Sequence, residues 1–208
     1  MTPTTFPFLS LLIFSPVAAV VVLGFLRSEQ AQRWWTLGFT TAMALASLLL
    51  LPRFDPGTHL FQFTEQAAWI PALKINYTLG VDGISLLLVL LTTLITPLCV
   101  LASWNYIQKR IKEFMIALLL METTMIGVFC ALDTILFFVF WEAMLIPMAL
   151  LIGIWGGPRR VYASLKFFIY TMAGSVLMLV ALIALRLKTG SFDLVTTMGH
   201  PLSSDFQS

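Results

Sequence analysis

Six apolar runs, each close to the length a helix needs to cross a hydrocarbon layer, decide what this chain can become. They cover about Phe6–Leu26, Trp34–Leu51, Gly83–Ser103, Phe114–Ala131, Thr134–Trp155 and Val161–Leu187. Of 208 residues, 59% are hydrophobic and only 11% are charged, against about 25% charged in a soluble domain. A water-soluble fold of this size would leave too much apolar surface exposed, so the chain reads as an all-α polytopic membrane protein with about six transmembrane helices. Its formal net charge of +2 is too small to suggest a nucleic-acid partner. The lipid bilayer is the expected surrounding, and what matters is where the charges sit.

The first run lacks a basic leader and outlasts the apolar core of a signal peptide, so it reads as a retained helix. Asp133-Thr134 separates the fourth run from the fifth as a helix cap between segments too long to form one span. Loops after the first, third and fifth helices hold seven basic residues: Arg27, Arg33, Lys109, Arg110, Lys112, Arg159 and Arg160. The other side holds four, Arg53, Lys74, Arg186 and Lys188. That bias places the N-terminus outside and the short basic loops in the cytoplasm, matrix or stroma. Trp34, Trp35, Trp69, Trp104 and Trp155 lie near span ends, where amphipathic rings meet the headgroups.

The long loop at 52–82 lies on the outer side. Trp69-Ile70-Pro71 is a turn signal, Lys74–Leu79 reads as a short extended segment, and Asp82 is placed to cap the third helix. Thr189–Ser208 is polar, with Gly190, Gly199 and Pro201, and reads as a loop leaving the membrane on the outer side. No internal repeat is visible within the six helices.

Three ionisable residues fall within the spans: Glu142, Glu122 and Lys166. An acid at mid-membrane costs about 2.5–3.5 kcal/mol on insertion scales, so such residues are functional candidates by default. Glu142 stands five residues before Pro147, which cannot donate the hydrogen bond that the carbonyl of Ala143 expects. On a 3.6-residue helix Ala149 and Gly153 share its face, and small residues there let a neighbouring helix approach. Glu142 therefore points into a bundle; its alternative reading is a structural hydrogen bond or ion pair. Glu122, followed by Thr123 and Thr124, reads equally as an inter-helix contact or as a relay. Lys166 shares a face with Tyr170 and Gly174, while Ser164, Thr171 and Ser175 form a polar strip on roughly the opposite side. It lies about five residues, or roughly 7 Å of rise, from the basic end, and either snorkels there or takes part in the chemistry.

Proton transfer suits these residues. Burial favours the neutral form of an acid, and an approaching cation favours the charged form, so a carboxyl can load and release as a cation moves. No Ser/His/Asp constellation, phosphate-binding loop or iron–sulfur motif is present. His59 and His200 stand in outer loops far from a second ligand. Cys99 and Cys130 fit no metal spacing and read as packing residues. The chain is expected to bind no cofactor and no metal of its own.

The run Phe140-Trp141-Glu142-Ala143-Met144-Leu145-Ile146-Pro147-Met148 resembles the fifth-helix signature of an antiporter-like membrane-arm family of NADH-quinone oxidoreductase, subunit M or chain 4 of respiratory complex I. Tyr77–Ser85, leading into the third helix, and Lys166-Phe167-Phe168-Ile169-Tyr170-Thr171 resemble the same family, as does the Trp69-Ile70-Pro71 loop. The resemblance implies a proton-translocating subunit in which Glu142 is the family's fifth-helix glutamate. NADH, flavin, iron–sulfur clusters and quinone would then belong to partner subunits, and the neighbouring antiporter-like subunits would be partners. A cation/proton antiporter or a membrane-bound hydrogenase subunit is the alternative, since these share that glutamate; a non-transporting scaffold is the third.

Members of the family have about fourteen helices, so the chain resembles an N-terminal portion. Residues 1–131 would hold helices one to four, and 132–208 would begin the proton-translocating unit. The membrane would be a bacterial plasma membrane, or the mitochondrial inner or thylakoid membrane.

Overall fold

The computed structural model describes residues 6–58 and 60–199; His59, His200 and Pro201 lie outside the described residues. Six helices are long and apolar enough to cross a membrane: α1 (Phe8–Phe25), α2 (Glu29–Leu48), α3 (Gly83–Ser103), α4 (Ile111–Cys130), α5 (Thr134–Trp155) and α6 (Arg160–Thr189). A hairpin of β1 (Gln62–Ile70) and β2 (Ile75–Val81) joins α2 to α3, and a short α7 (Leu194–Met198) follows α6. α4 is the centre of the bundle, packed on α1, α2, α3 and α5, whereas α6 packs chiefly on α5.

The basic loops share one end of the bundle and are tied there by hydrogen bonds to backbone carbonyls. Lys112 donates to the carbonyl of Gly24 at 2.9 Å, at the C-terminal end of α1. Arg33 donates to that of Ile107 at 2.8 Å, and the Trp155 indole to that of Lys109 at 2.8 Å. The lysine at Gly24 satisfies a carbonyl at a helix end that the helix itself cannot, and the other two donors fix the loop between α3 and α4.

The opposite end is organised by the hairpin, of which the sequence reading had only the second strand, as Lys74–Leu79. β1 carries a bulge: Gln62 pairs with Val81 but Glu65 pairs with Leu79, so one extra residue enters β1 between the two pairs. Phe63 takes a left-handed backbone there, with φ 54°. The bulge breaks the alternation of buried and exposed positions, and Gln62 to Glu65 are all buried. Its consequence is that Glu65 reaches the N-terminus of α1. The carboxylate accepts the amides of Leu9 at 2.6 Å and Ser10 at 3.1 Å, and the Ser10 hydroxyl as well. A carboxylate supplied from a distant strand thus does the work of a helix cap.

Asp133 caps α5, accepting the amides of Ile135 and Leu136, while its other oxygen accepts the amide of Asn76 in β2 at 3.1 Å. The three residues between α4 and α5 are held on both sides. Leu132 donates to Thr78 on one flank; on the other, Thr134 donates to Phe192 and Leu194 donates to Leu132. Residues after α6 therefore fold back over the start of α5, and the expected departing loop is replaced, up to Gly199, by this strap. The reason is local: backbone donors and acceptors of 192–194 find partners in the α4–α5 turn, and Asp193 caps α7 through the Thr196 amide.

Asp82 caps α3 as expected, in a reciprocal box with Ser85: the Ser85 amide donates to Asp82 at 2.7 Å and the Asp82 amide to the Ser85 hydroxyl at 2.8 Å. Burial pushes this carboxyl up, but the hydrogen bonds from Ser85 and Ile84 outweigh it and hold it below the usual aspartate value. A group with a depressed folded pKa adds stability above its unfolded pKa and loses it as pH falls through the folded one. Protection of the Ser85 amide, its exchange rate relative to the intrinsic rate at the same pH, is therefore expected to hold at neutral pH and to fall once pH drops below about 4; protection unchanged down to pH 2 would refute the cap's dependence on charge.

Candidate functional site

The two acids read from the sequence lie in the middle of neighbouring antiparallel helices. A methyl placed at Gly127 of α4 would meet the ring of Phe140 of α5, which puts these residues level. Glu142 lies two residues beyond Phe140, and Glu122 five residues before Gly127, both towards the basic end. At 1.5 Å per residue the acids differ in depth by about 4.5 Å, less than one helical turn.

Glu142 is half-buried, and its Oε1 is buried without a hydrogen-bond partner among the described residues. Its face of α5 meets α6, as the small residues Ala149 and Gly153 led us to expect. The Ser164 hydroxyl of α6 donates to the Ala149 carbonyl at 2.7 Å, and a methyl at Gly153 would stand 3.2 Å from the same hydroxyl oxygen. Running seven residues along each helix from that contact brings Glu142 to the level of Thr171. Trp141, Thr171 and Ser175 line a cavity of about 270 Å³ there.

Glu122 is more deeply set, only 1% exposed, with both carboxyl oxygens lacking a partner among the described residues. On α4 it falls between two apolar clusters. Met115 and Leu119 belong to the one at the basic end, Ile126 and Cys130 to the one under the hairpin. The adjacent Thr123 hydroxyl is also buried and unpartnered, while Thr124 donates back to the carbonyls of Leu120 and Met121. Two side chains that the sequence reading passed over, Thr92 and Thr96 of α3, line a cavity of about 360 Å³ together with Glu122. Their spacing of four residues, on an otherwise apolar helix, was the available signal.

Lys166 is not brought to either acid. It is exposed near the start of α6, with its ammonium 5.9 Å from the Tyr162 ring, in a cavity of about 700 Å³ that Arg159 and Arg160 also line. Cys130 is buried beneath the hairpin, but Cys99 is exposed and borders the Glu122 cavity rather than filling the core. Among the described residues no group of three or more His, Cys, Asp or Glu side chains could hold a metal ion. What the arrangement offers is two mid-depth carboxyls with unpaired oxygens, one facing α6 and one facing a cavity beside α3.

Comparison with known proteins agrees over nearly the whole length. Residues 11–128 match the family described as NADH-ubiquinone oxidoreductase chain 4, amino terminus, and residues 131–203 match the NADH:quinone oxidoreductase/Mrp antiporter transmembrane family. The chain is 50% identical to NADH-quinone oxidoreductase subunit M of Rhodobacter capsulatus, over 91% of this chain and 38% of that protein. With NADH-ubiquinone oxidoreductase chain 4 of Arabidopsis thaliana it shares 42% identity, over 89% of this chain and 38% of the relative. It therefore spans under half the length of these relatives. Among solved structures, a chain of respiratory complex I from Thermus thermophilus superposes with a TM-score of 0.82 at 28% identity, covering 95% of this chain and 40% of that one. A chain of the Mrp complex from a Dietzia species gives 0.80 at 18% identity, covering 93% and 21%, a likeness of fold.

Proposed function

The chain belongs to the NADH-ubiquinone oxidoreductase chain 4 family, and from that premise we propose that it forms part of the proton-translocating membrane arm of an NADH-quinone oxidoreductase. Electron transfer from NADH to quinone takes place in partner subunits, which hold the flavin, iron–sulfur clusters and quinone. This chain supplies a protonatable group inside the bilayer. Neighbouring antiporter-like subunits are its partners, and the basic end of the bundle faces the cytoplasm of a bacterial plasma membrane, with the N-terminus outside.

The observation that carries the proposal is Glu142. It lies at mid-depth on α5, within the stretch matched to the antiporter-like family, and its Oε1 is buried with no partner among the described residues. An acid kept there unsatisfied by its own helices is suited to accept a proton from one side and to give it up when a cation approaches. The far face of α6 is largely exposed, including Ile169, Leu177 and Val180. Helices or subunits packed on that face complete the surroundings of the carboxyl and bring the cation. Lys166, exposed at the basic end beside Arg159 and Arg160, is not the partner of Glu142 in this reading.

Glu142→Gln in the assembled enzyme tests this. NADH-driven proton pumping is expected to fall below about a tenth, equivalent to at least roughly 1.4 kcal/mol in the transfer barrier, with the amount of assembled complex unchanged. A variant that assembles normally and pumps at the original proton-to-electron ratio would remove Glu142 from the path.

A further inference from the structure

The role proposed for Glu142 leaves a second, more deeply buried acid of the spans unexplained. Glu122 has two carboxyl oxygens without partners among the described residues and borders a cavity of about 360 Å³ between α3 and α4. The hydroxyls beside it are already committed as donors. Thr92 gives its proton to the Leu88 carbonyl at 2.8 Å, and Thr96 gives its proton to the Thr92 carbonyl at 2.8 Å. What these oxygens still offer is lone pairs. A carboxylate set among acceptors is repelled, whereas a carboxylic acid can donate its single proton to them directly or through one water.

Among the described residues no cation lines the cavity, and its one other titratable group is the thiol of Cys99. Of the elements packed on α4, α1 carries no ionisable side chain among its residues. α5 carries Glu142, β2 carries Tyr77, and α2 carries Glu29 and Arg33, whose guanidinium is bonded to the Ile107 carbonyl at the basic end. Among the described residues no cation faces Glu122. The cavity is bounded by Leu91, Ile95 and Cys99 on α3, which the rest of this chain leaves uncovered, and a water held in it would find the carboxyl and the two threonine oxygens as polar partners, enough to hold it.

We propose that Glu122 is a second proton-binding carboxyl of this bundle, held as the neutral acid against Thr92 and Thr96, and exchanging its proton with water held in the α3–α4 cavity. This stands on the cavity and the direction of the hydroxyls and is independent of any role for Glu142.

The test is infrared difference spectroscopy of the full chain, purified with the partners it retains and reconstituted in phosphatidylcholine vesicles at neutral pH. Subtracting the Glu122→Gln spectrum should isolate the carbonyl stretch of a protonated carboxylic acid, and that band should shift on transfer to deuterated water. Carboxylate stretches in its place, or an acid band that deuterated water never moves, would overturn the proposal. Should Glu122→Gln fail to accumulate, Thr96→Val takes its place. Loss of the acceptor oxygen should displace the acid band while Thr96→Ser leaves it where it was, and a band indifferent to Thr96→Val overturns the proposal equally. Pumping is not read in this experiment, so failure of Glu142 as a carrier leaves its result unaffected.

Discussion

Replacing Gly127 with valine is expected to prevent stable packing of α4 on α5, and with it accumulation of the chain in the membrane. A Cβ at this position would lie 2.4–2.6 Å from three atoms of the Phe140 ring, including Cγ. The ring has little room to yield. It belongs to the buried cluster under the hairpin and has Phe14 of α1 against it, with centroids 6.4 Å apart. Nor can the helices slide, because the turn between them is hydrogen-bonded to β2 on one flank and to residues 192–194 on the other. Overfilling a packed interior costs about 1–3 kcal/mol, and more where the backbone cannot shift. Inside a bilayer, close approach at small residues is itself a main source of helix association.

Thermal unfolding in detergent should show the loss, and Phe140→Ala should partly restore the Gly127→Val chain. The two changes must then be strongly non-additive, since Phe140→Ala alone removes a buried ring at about 3–5 kcal/mol. A Gly127→Val chain as stable as the original would mean that the close approach at this crossing contributes little.

Much of this architecture is legible in the sequence because its causes are local. A span announces itself by apolar length, and the starts of α3 and α5 by the aspartates one residue before them. Glu122 and Glu142 stand out because a charge inside an apolar run has a cost that composition alone exposes. The parts that stayed hidden depend on distant partners. β1 is obscured by the bulge at Phe63, which abolishes the alternation by which strands are recognised. The task of Glu65 is set by Leu9 and Ser10, 56 and 55 residues earlier. The return of residues 192–199 over α5 is held by backbone bonds, to which side-chain patterns give no clue. At the site, the surroundings of Glu122 turn on the direction of two threonine hydroxyls, which spacing places on one face of α3 but cannot orient. Lys166 shows the converse. Its position within an apolar run left two readings open, snorkelling to the basic end or a part in the chemistry, and α6 has so little of this chain against it that the side chain is exposed near that end.

Asp133→Ala is expected to loosen the hairpin end of the bundle by about 1–3 kcal/mol, the sum of a lost helix cap and an unpaired strand amide, less the cost of burying the carboxylate. Asp133 is only 1% exposed, and its two oxygens do different work. Oδ1 takes the Ile135 and Leu136 amides at 2.9 and 3.2 Å, and Oδ2 takes the Asn76 amide at 3.1 Å. Burial pushes this carboxyl above the ordinary aspartate value, the three amide donors pull it down, and Asp193 nearby pushes it up again. The desolvation cost therefore offsets part of what the bonds contribute. Asp133→Asn separates the two oxygens: one amide oxygen can cap α5 or accept from Asn76, but not both. Hydrogen exchange read residue by residue should show Asp133→Ala exposing Ile135, Leu136 and Asn76 together. Asp133→Asn should expose Asn76 while α5 stays protected. If both variants left Asn76 protected, the tie between α5 and β2 would rest on the Leu132–Thr78 backbone bond alone, and the aspartate would be a helix cap and nothing more.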